Sequence, residues 1–369
     1  MLTPPSTRLA QGTFVSTPDL KESPRASVIL VNYNGGKLLT RCLRSLQQEC
    51  KQLDEIILVD NASIDGSVEE VEEAFPDVQV IHSEVNLGFG AGNNLGFQFS
   101  KGKYLAFLNP DAIVEPGWLE ALIAALEADP QAGLATSKIL LLNDPERINT
   151  CGNEIHCTGL TMCRGMGMDR NALPEMKEVN AISGAAFVIR RELFESLGGF
   201  DGTFFMYMED TDLSWRAKLA GYRSIYVPTS IAHHDYSLRF GPNKTFYEEC
   251  NRYQMLMKVL KWRTLMVMLP ILLLAEWVTW GFVLLRQPNR LTNKLRAYAW
   301  IIHNWGSIMG RRRQVQALRH VRDRDLVAAS TYRLAFEQTG NGLAARMAHF
   351  LFDPLFFILR QWALVFIWW

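Results

Sequence analysis

Three carboxylates, Glu209, Asp210 and Asp212, fall within four positions of the stretch FFMYMEDTDLSWRAKLAGY, residues 204–222. Like charges crowded this closely repel and cost stability. Such a cluster is kept where a carboxylate does chemistry, or where one caps the helix that the following residues predict. A further carboxylate, Asp111, ends the segment YLAFLNPD just after an apolar run. Joined there by phosphate oxygens of a ligand, it suits Mg2+ or Mn2+. The stretch NLGFGAGNNLG brings Gly88, Gly90, Gly92 and Gly96. It is neither the dinucleotide G-x-G-x-x-G nor a P-loop, but a Gly-rich turn before a helix lets a nucleotide approach the backbone closely.

These residues need elements to position them. SVILVNY, EIILVDN, VQVIHS and YLAFLNPD are short apolar, β-branched runs, and a segment of helical period follows each. Four such alternations predict an α/β domain with a mostly parallel sheet. In an open parallel sheet, ligands bind beyond the carboxyl ends of the strands. Asn32-Tyr33-Asn34 follow the first strand, Asp60-Asn61 the second and Asn109-Pro110-Asp111 the fourth. Any one of these alone reads as a turn or cap, whereas three along one edge read as a binding crevice. Past Ala132 the alternation loosens, and residues 143–179 read as loop-rich.

Three regions are expected. Residues 1–24, rich in Pro, Ser and Thr, read as a disordered lead without a secretory signal, so the following domain is expected in the cytoplasm. The α/β domain takes residues 25–240, and residues 241–369 form a helical region. Two apolar runs, 264–285 and 349–369, are interrupted by Pro270, Glu276, Asp353, Pro354 and Arg360. An Arg-rich segment containing Arg311-Arg312-Arg313 separates them. Basic residues on both sides of the first run conflict with a single crossing, so an interfacial or re-entrant placement on anionic lipid is expected. The competing reading is a soluble helical tail packed on the main domain. Lys and Arg total 38, as do Asp and Glu, so no global basic field for nucleic acid exists. Cys151, Cys157 and Cys163 recur every six residues without a C-x-x-C pair and read as reduced thiols.

Taken together and in order, VILVNYNG with ILVDNASID, NLGFGAGNNLGF, LNPDA and SGAAFVIRRELFESLGGFDGTFFMYMEDTDLSWRAKLAGY resemble family 2 glycosyltransferases of the GT-A fold, near the rhamnosyltransferase-like branch. The resemblance covers about residues 27–237. It implies a GT-A nucleotide-sugar-binding fold. On it, Asp60 contacts the nucleotide base, with Asn32 and Tyr33 lining the same pocket and Gly88 and Asn93 on the donor side. Asp111 matches the metal-holding Asp of the family's D-x-D, whose first carboxylate is Asn109 here. His233 falls where some relatives place a metal or diphosphate contact, and His233 and His234 read equally well as strand-end packing residues. Asp210 matches the catalytic base, with Glu209 and Gly184 on the acceptor side and Asp212 as support or cap. Neighbouring carboxylates raise the pKa of Asp210, while the helix N-terminus lowers it.

The resemblance implies an inverting transfer of one sugar from a nucleotide diphosphate sugar to a lipid-linked or growing saccharide, in cell-surface polysaccharide synthesis. Mg2+ or Mn2+ is the expected cofactor. A dTDP-linked rhamnose is the first candidate donor and a UDP-linked sugar the second, and no nucleic acid is expected. The expected location is the cytoplasmic face of a bacterial inner membrane. The processive synthases' Q-x-x-R-W is met only by Gln287-Pro288-Asn289-Arg290-Leu291, which argues for single-sugar transfer. The alternatives are a polyprenyl-phosphate sugar synthase, whose acceptor phosphate needs no base, and a non-catalytic saccharide-binding subunit.

Overall fold

The computed structural model describes residues 24–49, 55–236, 242–286, 288–338 and 342–369. The lead expected over residues 1–24 lies outside them except for its last residue, and so do Cys50 and Gln287. The first half alternates as expected: β1 (Ala26–Asn32), α1 (Gly36–Glu49), β2 (Glu55–Asp60), α2 (Ser67–Ala74), β3 (Val78–His82), α3 (Phe89–Phe99) and β4 (Tyr104–Leu108). All seven residues of β1 and all five of β4 are buried, because helices cover both faces of this part of the sheet. The strands pair in parallel in the order β3-β2-β1-β4. Register sets Asn32 beside Asp60, and Asp60 beside His82, so the strands' polar ends share one edge.

The second half follows as β5 (Ala112–Val114), α4 (Trp118–Ala128), β6 (Ala132–Leu141), β7 (Asp144–Thr150), β8 (Asn153–Ile155), β9 (Thr161–Cys163) and β10 (Lys177–Val179). Then come β11 (Ala186–Arg190), α5 (Arg191–Ser196), α6 (Glu209–Leu219) and β12 (Arg223–His234). Here the sheet is mixed: β11 runs antiparallel between β4 and β6, whereas β6 and β12 are parallel. The stretch expected to be loop-rich holds four short strands. Their sequences are polar and too short for a clear period-2 signal, and pairing with β6, β12 and each other defines them.

The C-terminal helices are α7 (Lys244–Val259), α8 (Trp262–Val267), α9 (Leu269–Arg286), α10 (Leu291–His303), α11 (Trp305–Ala317), α12 (Asp323–Ala329) and α13 (Leu343–Phe366). They do not stand apart from the α/β domain. One buried cluster joins Phe204, Met208, Trp215 and Leu219 to Met255, Met268, Ile271, Val315, Phe356 and Ile367. Buried charges reinforce the junction. Lys258 Nζ lies 2.7 Å from Asp212 Oδ1 and also pairs with Asp201, which Arg311 Nε approaches at 3.1 Å.

The residues that interrupt the apolar runs are explained by this packing. Glu276 meets Arg252 at 2.6 Å and Lys294 at 3.0 Å, and accepts from the Tyr253 and Tyr298 hydroxyls. Its charge therefore sits in an ion cluster between α7, α9 and α10. Pro354 leaves α13 continuous. The carbonyl it deprives of a donor belongs to residue 350, and Phe350 is 86% exposed. Two arginines assigned by sequence to lipid turn inward instead. Arg311 contacts Asp201 and Gln254, and Arg312 donates to the Leu260 carbonyl at 2.5 Å and lies over the Trp262 ring.

Among the described residues, one helix, α13, is long and apolar enough to cross a membrane. Leu343, Met347, Phe350, Ile358 and Val365 on it are exposed, as are Leu269, Leu273 and Trp277 on α9. Trp277 and Phe352 meet edge to face at 5.8 Å, so the two faces adjoin.

Candidate active site

At the β1–β2 edge, Asn32 Nδ2 donates to Ser63 Oγ at 3.0 Å and Ser67 Oγ at 3.1 Å. Its Oδ1 is buried without a hydrogen-bond partner. Asp60 Oδ1 accepts from the Ser63 amide at 2.9 Å, and its Oδ2 lies 3.1 Å from His82 Nδ1. Hydrogen bonds to Asp60 and then Glu72 draw the His82 pKa upward. Tyr33 is 53% exposed at the rim. Asn61 closes the floor by accepting from the Leu87 amide at 2.8 Å and donating to Asn86 Oδ1 at 2.9 Å.

Gly88 follows with φ 79°, and a Cβ on it would lie 2.2 Å from the Phe205 carbonyl oxygen. Only glycine allows this contact between the start of α3 and the loop leading to α6. Asn93 is held differently from the other expected donor residues. It is buried inside α3 and donates to the Phe89 carbonyl at 3.0 Å.

The chain end of β4 brings Asn109 and Asp111 to β12. Antiparallel pairing sets His234 opposite Ala112. His234 Nε2 therefore lies 3.3 Å from Asp111 Oδ1 and 3.2 Å from Asn109 Nδ2, with Nδ1 3.1 Å from Asn149 Oδ1. The expected partner, His233, is on the other face of the strand, 2.7 Å from Glu115 Oε1. Successive side chains of a strand point opposite ways, and the sequence HH does not say which faces inward. With the imidazole proton on Nδ1, Nε2 accepts from Asn109, and Asp111 Oδ1 and Asn109 Oδ1 remain buried oxygens without a donor. Those two oxygens fit a hard divalent cation completed by a ligand's phosphate oxygens, with His234 holding the Asn109 amide beside it. Among the described residues no group of three or more His, Cys, Asp or Glu side chains is placed to hold a metal unaided.

Asp210 stands in the first turn of α6, half-buried. Its Oδ2 accepts from the Gly184 amide at 2.9 Å and Asn153 Nδ2 at 3.3 Å, and its Oδ1 from the Thr211 amide at 2.7 Å. Gly184 joins the two sides of the site: a Cβ there would lie 3.4 Å from Asp210 Cβ and 3.6 Å from Phe89 Cζ. Glu209 is 8% exposed, and its Oε2 has no partner. Burial, then the charge of Asp210, pushes the Glu209 carboxyl up to about 8. Burial also raises Asp210, against the donors from Gly184 and Thr211. At neutral pH the proton of this pair belongs on Glu209, which has no donors on Oε2, and Asp210 is the carboxylate. Asp212 is fully buried and held by Arg216 Nε at 2.7 Å and Lys258, so it is part of the junction with α7.

Asn153 and His234 were not foreseen as site residues. Asn153 carries no local signal, because the contact that matters comes from a distant segment. The only available hint for His234 was the two-residue period of β12.

A GT-A fold is defined by this parallel half-sheet with a polar edge, closed by a mixed half that carries a carboxylate helix. In structure, the chain resembles GalNAc-T7 solved with UDP, GalNAc and Mn2+, with TM-score 0.54 and 21% identity over 64% of this chain and 48% of that one. It also resembles S. aureus TarS 1–349 in complex with UDP-GlcNAc, with TM-score 0.51 and 17% identity over 92% of this chain and 88% of that one. In sequence, it is 30% identical over 233 residues to the N-acetylglucosaminyl-diphospho-decaprenol L-rhamnosyltransferase of Mycobacterium tuberculosis, covering 56% of this chain and 75% of that protein. The model of glycosyl transferase family 2 matches residues 27–198. The chain belongs to glycosyl transferase family 2 and is a glycosyltransferase.

Proposed function

We propose that the protein transfers a single sugar, with inversion, from a nucleotide diphosphate sugar to a lipid-linked saccharide. The observation that carries this reading is Asp210, a half-buried carboxylate held by Gly184 and Asn153 and joined through Gly184 and Phe89 to the nucleotide edge. Asp60, Asn32 and Tyr33 take the base and ribose. Asp210 accepts the proton of the acceptor hydroxyl as its oxygen bonds to the anomeric carbon and the bond to the diphosphate breaks. Asp111, with Asn109 and His234 beside it, is assigned to Mg2+ or Mn2+, which when bound neutralises charge on the departing diphosphate. Rhamnose from a dTDP-linked donor is favoured by the 30% identity to the mycobacterial rhamnosyltransferase, whose name gives a diphospho-decaprenol acceptor.

Residues 25–240 are taken as the catalytic unit, with residues 241–369 as a helical layer fastened to it. The adjoining apolar faces of α9 and α13 support attachment to a membrane, which this reading puts at the cytoplasmic leaflet, close to a lipid-borne acceptor. Full-length protein with Mn2+ and dTDP-rhamnose should release dTDP only when an N-acetylglucosaminyl-diphospho-polyprenol is added. Release on polyprenyl phosphate alone would favour the lipid-phosphate sugar synthase, and no release with any donor–saccharide pair would overturn the enzymatic assignment. Flotation with anionic vesicles tests the attachment: the wild type should float, and Phe350→Glu with Ile358→Glu should stay in the soluble fraction.

A further inference from the structure

Tyr207 and Met208, immediately before the Glu209-Asp210 pair, both adopt left-handed backbone, with φ 67° and 65°. Two such residues in succession, neither glycine nor asparagine, are unfavourable by themselves. They persist only where surrounding structure imposes them, and such turns gather at sites that need a side chain aimed. The start of α6 has no side-chain cap at Met208, so the bond that usually fixes the first turn of a helix is missing there.

The restraint comes from α7. Asn251 is 2% exposed there, and its Nδ2 donates to the Met206 carbonyl at 2.9 Å and the Tyr207 carbonyl at 2.8 Å. Both partners are acceptors, so only this orientation of the amide is consistent. Its Oδ1 accepts from Gln254 Nε2 at 3.4 Å. On the opposite side of the loop the Phe205 carbonyl accepts from the Phe89 amide at 3.0 Å. Three successive carbonyls, at 205, 206 and 207, are thus tied to α3 and α7. The Met208 carbonyl then accepts from the Asp212 amide at 2.8 Å and begins the helix that carries Asp210.

We propose that Asn251 is a positioning residue for sugar transfer. Its amide holds the left-handed pair Tyr207–Met208 and so aims Asp210 at the acceptor side of Gly184. The inference rests on Asp210 as the base. It also makes α7, which lies beyond the residues 27–198 that the family model matches, a working part of the active site.

The test is a double-mutant cycle in the full-length protein, with dTDP-rhamnose, Mn2+ and N-acetylglucosaminyl-diphospho-polyprenol as probes and amide hydrogen exchange as a readout independent of turnover. Asn251→Ala should lower kcat by about 10²-fold, as expected for a misplaced reacting group. Donor Kd should stay within about threefold of wild type, a shift near 0.65 kcal/mol. Exchange in residues 205–212 should accelerate while β1–β4 stay protected. In a Tyr207→Gly background, where left-handed backbone costs little, removing Asn251 should cost much less in kcat. Unchanged exchange, or an equal penalty in both backgrounds, would overturn the proposal. If Asn251→Ala does not fold but Asn251→Ala/Tyr207→Gly does, the strain account stands; if neither folds, Asn251 serves packing alone and the proposal fails. Asp210→Asn separates the two ideas. Normal transfer by that variant removes the base, whereas its inactivity beside a fully active Asn251→Ala removes only the positioning role.

Discussion

The nucleotide edge and the Asp210 turn are built in opposite ways. At the edge, Asn32 and Asp60 are neighbours in register, and Ser63 in the loop after β2 and Ser67 at the start of α2 hold them, with Asn32 Oδ1 left unpaired. At the turn, Asp210 depends on Gly184 and Asn153, and the backbone before it on Asn251 and Phe89. The edge is a by-product of strand pairing, so its parts come with the sheet. The turn is assembled from four separate segments, and its geometry depends on all of them packing. A perturbation of the edge should therefore weaken binding alone, whereas one at the turn should abolish transfer or destabilise the fold.

The largest expected effect is on the turn. Asp210→Asn nearly preserves shape but removes proton acceptance, so kcat should fall by about 10²–10⁴-fold. Donor affinity, measured by calorimetry, should hold. A mutant with near wild-type turnover would place the base elsewhere and dissolve the contrast.

Next is the junction beneath the turn. Lys258→Met strips a shared cation from Asp201 and Asp212, both buried, and should cost about 3–5 kcal/mol in denaturant unfolding. Each carboxylate keeps one cationic partner, Arg311 and Arg216 respectively, which sets the lower end of that range. Truncation before Thr264 should yield insoluble protein, because it uncovers Trp215, Met255 and Leu256.

A change at the edge should be milder. Asp111→Asn should weaken donor binding by about tenfold in the presence of Mn2+, or 1.4 kcal/mol, and leave metal-free binding alone. Calorimetry with and without Mn2+ checks it, and unchanged metal dependence would move the cation away from Asp111.

A last effect, visible only as pH dependence, concerns Glu209. Its carboxyl is held up to about 8 in the folded protein, against 4.5 for an ordinary glutamate. Between those values the folded state keeps a proton that the unfolded state releases, so stability falls as pH rises through that window. Glu209→Gln should flatten this decline in thermal melts taken from pH 5 to 8. A slope identical to wild type would assign the pH dependence to another group.

Local pattern was sufficient for the parallel half of the sheet. Apolar runs of strand length alternate with helical periods, and Asn32, Asp60 and Asp111 stand at strand ends because short polar residues stop buried strands. Motif order was sufficient for the glycosyltransferase class. Neither could choose between His233 and His234, since that choice depends on the register of β12 against β5. Neither could reveal Asn153 or Asn251, whose hydrogen bonds reach across the fold.

The C-terminal region divides in the same way. Its helices and apolar runs are legible in composition, because hydrophobicity is a property of each residue. That Glu276 joins an ion cluster, that Arg311 and Arg312 face inward, and that α7 holds the backbone before Asp210 were decided only by tertiary structure. Charge and hydrogen-bonding capacity are written in the residue type, but the partner that uses them is chosen by packing between segments far apart in the chain.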